Sequence, residues 1–180
     1  NGVYDEIMGI LNAQGKCVVE FSGIMSNPTY AKVQEGAKLA WASAMAENGV
    51  LKIGKVTDFQ CHMLEHQLGA YTNCNHGAGL AVIHPVLYRH IYKSGAARFA
   101  RFAQNVWGIA PKGSDEETAA AGIDALAAFI KGIGLLTTFT ELGIPADTDF
   151  RAVADSTNIT AGCCKKLTRD EIREILQECL

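Results

Sequence analysis

The chain has 180 residues, of which 48% are hydrophobic and 19% charged, with four prolines and a formal charge of −3. That is apolar material for one good core or two small ones, and too much for a disordered tail or a fibre. Lys and Arg are scattered, so there is no electrostatic case for nucleic acid or an anionic membrane surface as a partner.

In chain order, Val3, Ile7, Ile10 and Leu11 share one face of a helix expected over 3–13, with Gly15 as its stop. Cys17 to Phe21 reads as a short strand. The loop Ser22 to Pro28 is rich in turn residues, and Ser26 or Asn27 can cap a helix that begins at Pro28 and turns Val33, Ala37 and Leu39 inward. Residues 1–39 are thus expected to form a helix-strand-helix α/β fragment. Its lone strand needs a partner, either from sheet parts elsewhere or from a second copy of the chain.

Residues 40–180 read as helical throughout, an all-α domain of the mainly α class. An Ala-rich segment, Ala40 to Val50, stops at Asn48-Gly49. Helices are expected over 58–69, over 77–93 with Pro85 as a kink, and over 98–107, 115–133 and 135–142. Ser114 followed by Glu117 and Thr168 followed by Glu171 give capping-box starts, and Gly143-Ile144-Pro145 is a firm stop. Trp41, Trp107, Phe99 and Phe102 at helical spacing are expected in the core.

The apolar run Ile123 to Ile133 is broken by Asp124, Lys131 and glycines, short of the about twenty clean residues a bilayer span needs. No secretory signal is visible, although the chain does not begin with Met, and a cytoplasmic location is expected. The six cysteines contain no C-x-x-C and are expected to be reduced; Cys61 and Cys74 flank the histidines.

Three of the five histidines lie within fifteen residues, in Cys61-His62-Met63-Leu64-Glu65-His66 and Asn75-His76-Gly77-Ala78-Gly79-Leu80-Ala81. Positions i and i+4 of a helix share a face, so His62 and His66 can point at a common centre with Glu65 beside them. Neutral imidazole is the commonest protein ligand for borderline metals, so this pattern reads as a metal or acid/base site. His84 and His90 read instead as packed or surface residues. His62-x-x-Glu65-His66 also fits a zinc protease of inverted motif, for which Glu141 could be a third ligand, but that reading leaves the His76-Gly77 stretch unused.

Trp41 to Gly49, the His62/His66 helix, His76-Gly77-Ala78-Gly79-Leu80-Ala81 and Leu167 to Ile172 together resemble the iron-containing alcohol dehydrogenases, in their butanol dehydrogenase-like, NAD(P)H-dependent branch. The resemblance implies that residues 40–180 are the family's helical C-terminal domain and residues 1–39 part of its N-terminal nucleotide-binding domain. It implies that His62 and His76 ligate a catalytic divalent metal, Fe2+ or Zn2+, and that His66 lines the pocket as a candidate proton relay. Glu65 is then expected to support a ligand, and Asn27 and Pro28 to contact the NAD(P)H cofactor. The implied reaction is hydride transfer between NAD(P)H and a short-chain aldehyde or primary alcohol, by a homo-oligomer.

The sequence contains no Gly-Gly-Gly-Ser phosphate loop and no G-x-G-x-x-G after a strand, so an internal deletion is expected near Lys38 to Trp41. Two histidines fall short of the usual three or four protein ligands. A non-catalytic helical remnant or oligomerising scaffold is therefore the alternative to an active enzyme.

Overall fold

The structure, a computed structural model, describes residues 30–162 and 164–180. The helix expected over 3–13, the strand at Cys17 to Phe21, and Asn27 and Pro28 lie outside the described residues. Residues 30–57 and 58–180 belong to different compact units.

In the first of these, helix α1 (Tyr30–Glu47) runs unbroken through the boundary expected between residues 39 and 40, and through the join expected near Lys38 to Trp41. No helix breaker occurs between Ala37 and Glu47. The stop falls at Asn48-Gly49, where Gly49 has φ 83°, a value that favours glycine. A short 3-10 turn, Val50–Lys52, follows. Leu39 and Trp41, expected inside, are 64% and 70% exposed. Within the described residues of its unit, α1 packs only on that turn, which is too small to cover an indole.

The second unit contains α2 (Gln60–Thr72), α3 (His76–Ile91), α4 (Ala96–Trp107), α5 (Asp115–Gly132), α6 (Phe150–Ser156) and α7 (Arg169–Glu178). Among the described residues there is no strand, and no helix is long and apolar enough to cross a membrane. The core is built from Leu64 and Leu68 of α2, Ile83 and Leu87 of α3, Val153 of α6, and Ile175 and Leu176 of α7. Burying each such side chain contributes about 1.5–3 kcal/mol relative to leaving it exposed. Helices α4 and α5 form a close pair. A Cβ at Gly122 would lie 2.5 Å from the Ala103 Cβ, so only glycine permits this approach. Trp107, Phe99 and Phe102 are half-buried, with Phe102 and Phe129 both in ring contact with Trp107.

Caps fall where the sequence places them. Ser114 Oγ accepts from the Glu117 N–H, and Thr168 with Glu171 closes a full capping box. Helix α6, which the apolar pattern does not announce, starts at Asp149, whose side chain accepts from the Ala152 N–H.

The helix expected over 135–142 is absent. Gly134 leaves α5 at φ 82°, and the Glu141 carboxylate then accepts from Thr137 N–H, Thr137 Oγ1 and Thr138 N–H. Local side-chain bonds of this kind outcompete a helix in a Thr-rich stretch. The resulting turn drives Phe139 into the core, where its N–H donates to the Cys179 carbonyl.

Candidate metal centre

Helices α2 and α3 form a hairpin joined at Asn73, Cys74 and Asn75. Asn73 closes α2 in the left-handed region at φ 54°, its N–H donating to the Gly69 carbonyl. Asn75 then caps α3, its Oδ1 accepting from the Ala78 N–H at 3.2 Å. His76 is therefore the first helical residue of α3, and helical side chains lean toward the N-terminus, here back over the end of α2.

The start of α2 is tied to the segment before α7 through Gln60, which is 4% exposed. Its Nε2 donates to the Lys165 carbonyl and its Oε1 accepts from the Leu167 N–H, each at 2.8 Å. Asp58 Oδ1 accepts from the Gln60 N–H at 2.9 Å and so opens the helix. Two residues on, the His62 ring stacks on Phe59 at a centroid distance of 4.4 Å.

These anchors bring the three predicted histidines together. Ring centroids are 5.5 Å apart for His62 and His76, 5.3 Å for His66 and His76, and 6.2 Å for His62 and His66. Two imidazoles on one tetrahedral ion, bound at about 2.1 Å, place their centroids about 5 Å apart. The three rings thus fit a shared divalent ion after shifts of an ångström or less. His66 and His76 are exposed, and His62 is half-buried.

Glu65, at 2% exposure, faces the same place. Its carboxylate accepts from Nδ1 of His76, which leaves His76 Nε2 as the nitrogen with a free lone pair. Carboxylates commonly hold metal-binding histidines in this way. Gly79 makes room for it: a Cβ there would lie 2.9 Å from both Cγ and Oε1 of Glu65. The donor atoms of Glu65, His66 and His76 lie within 4.8 Å of one another. With Gly69 and Cys74, these residues line a cleft of about 400 Å³.

His84, expected as a packed or surface residue, is packed beside this cluster, its ring centroid 6.1 Å from that of His62. Its Nδ1–H donates to the Leu80 carbonyl at 2.9 Å, leaving Nε2 as acceptor, and burial pushes its pKa down. The available signal was its spacing of eight from His76, about two helical turns. His90, by contrast, pairs with Glu178 at 3.2 Å and ties α3 to α7.

Glu141 is not among the donor atoms that lie together here; it is exposed, and hydrogen bonds from Thr137 hold its carboxyl below the usual range. Cys61, Cys74, Cys164 and Cys179 are free thiols. The expected cofactor contacts Asn27 and Pro28 lie outside the described residues.

A sequence profile described as the Fe-containing alcohol dehydrogenase family, C-terminal, matches residues 18–180. The NADH-dependent butanol dehydrogenase A of Clostridium acetobutylicum is 31% identical over 147 residues, covering 79% of this chain and 38% of that protein. An NADPH-dependent aldehyde reductase of Escherichia coli is 32% identical over 108 residues, 60% of this chain and 28% of that one. The crystal structure of the NADH-dependent butanol dehydrogenase A from Thermotoga maritima superposes with a TM-score of 0.73 at 31% identity, covering 81% of this chain and 39% of that one. The chain thus spans less than two fifths of the length of these proteins.

Proposed function

This chain belongs to the Fe-containing alcohol dehydrogenase family, and from that premise we propose that it is the metal-binding helical part of an NAD(P)H-dependent alcohol dehydrogenase or aldehyde reductase. The observation that carries the reading is the mutual approach of the His62, His66 and His76 rings to 5.3–6.2 Å. Its substrates are short-chain aldehydes and primary alcohols, and its ion is Fe2+ or Zn2+. The names of the two relatives, one acting with NADH and one with NADPH, support this substrate and cofactor class.

In this reading His62 and His76 hold the ion, which when bound supplies Lewis-acid polarisation of the substrate oxygen. The work of the chain's own residues follows from their placement. Phe59 fixes the plane of His62 by stacking, and Glu65 fixes the His76 tautomer by accepting its Nδ1–H. His66 stands exposed beside His76, where a ring nitrogen can take the hydroxyl proton during alcohol oxidation and release it to solvent. Asn27 and Pro28 would contact the NAD(P)H, which when bound would supply or accept the hydride.

The test is butanal reduction by the metal-loaded protein with NADH or NADPH. His62→Ala and His76→Ala should each lower kcat/KM by about 1000-fold or more, while His66→Ala should lower kcat and shift its pH profile. Full activity in both of the first two variants would overturn the assignment.

A further inference from the structure

We propose that Glu65, His66 and His76 form a second seat for a zinc-class divalent cation, distinct in its donors from the pair His62 and His76 and complete without His62. The donor atoms of these three residues already lie within 4.8 Å of one another, a grouping that does not contain His62. An ion at about 2.1 Å from each needs them about 3.4 Å apart, so each moves by roughly an ångström or less.

Burial and charge both favour the seat. The Glu65 carboxylate is withdrawn to 2% exposure, yet it lines the same cleft as the exposed His66 and His76. A cation there neutralises a charge that is otherwise costly to bury. The space is shaped for it by a missing side chain, since a Cβ at Gly79 would meet the carboxylate at 2.9 Å.

Two imidazole nitrogens and one carboxylate oxygen, with the Cys74 thiol also lining the cleft, are donors suited to zinc, whereas magnesium and calcium take oxygen alone. The ion enters where His76 Nδ1–H now donates to the Glu65 carboxylate, and the ring takes its Nε2–H tautomer on binding, so the imidazole stays neutral and keeps one proton. Occupancy draws His76 by Nδ1, the nitrogen opposite the one assigned to the ion held with His62. The two seats therefore compete for one residue, and one ion at a time is held.

Calorimetric titration of the 180-residue chain with Zn2+ in the presence of a competing chelator tests this. The wild type and His62→Ala should each bind one zinc per chain with affinities within about threefold of each other, whereas His66→Ala and the isosteric Glu65→Gln should bind at least about 100-fold more weakly. Exposed His66 makes its variant safe for folding, and circular dichroism checks the helix content of both. Zinc binding that survives His66→Ala and Glu65→Gln, binding lost in His62→Ala, or no uptake by the wild type would overturn the seat. Loss in His62→Ala alone leaves the proposed dehydrogenase site standing, so the two readings fail separately.

Discussion

His76, the first residue of α3, gives its Nδ1–H to the buried carboxylate of Glu65 on α2, so one hydrogen bond links the two helices and selects one tautomer of an exposed imidazole. The consequence is directly observable in the metal-free chain. Long-range 1H–15N spectra recorded well above the ordinary imidazole pKa should report Nδ1–H for His76. Glu65→Ala should move it toward the Nε2–H form that free imidazole prefers. An unchanged tautomer in that variant would mean that something other than Glu65 orients the ring.

Gly79 lies under the same carboxylate. Alanine normally stabilises a helix interior by about 1 kcal/mol over glycine. Here the added methyl would sit 2.9 Å from Glu65 Cγ and Oε1, so Gly79→Ala is expected to destabilise by about 1–3 kcal/mol and to detach Glu65 from His76. Urea unfolding combined with the tautomer spectrum checks both effects, and a stabilised variant with the wild-type tautomer would contradict them.

Gln60 secures the entry of the histidine-bearing helix. Removing its side chain leaves the buried Leu167 N–H without its acceptor and the Lys165 carbonyl without its donor. Gln60→Ala should therefore cost about 1–3 kcal/mol, with faster amide exchange at Leu167 as the local signature.

Burial holds the Cys179 thiol at about 12, against an ordinary value of 9.0. In the unfolded chain the thiol ionises from about pH 9 upward while the native one keeps its proton, so the unfolded state binds fewer protons and stability falls as pH rises between those values. Each pH unit in that window removes about 1.4 kcal/mol for this group. Cys61, also raised chiefly by burial, adds a slope of the same sign. Cys179→Val should flatten the dependence of urea stability on pH between 9 and 11 without abolishing it; an unchanged slope would contradict the assignment.

What the sequence made legible follows the range of the forces involved. Helices with strong caps, such as those starting at Ser114 and Thr168, are set by local chemistry and appear as expected. So does the meeting of His62, His66 and His76, because i,i+4 geometry and a three-residue turn nearly determine it. The segment 135–142 misled because apolar spacing suits a helix while Thr137, Thr138 and Glu141 bond locally. His84 was not legible as a neighbour of His62, since that contact depends on how α2 and α3 cross. No breaker in the sequence marks residues 39 and 40, and α1 is continuous there.

The most direct test of the account is the metal content of the dialysed chain and of its His76→Ala variant, by elemental analysis alongside intact mass. His76 belongs to both donor sets argued above, so about one iron or zinc per wild-type chain and almost none in the variant, with helix content preserved, is the expected result. Equal metal in both, or none in the wild type after loading, would contradict the claim that these histidines form a metal centre.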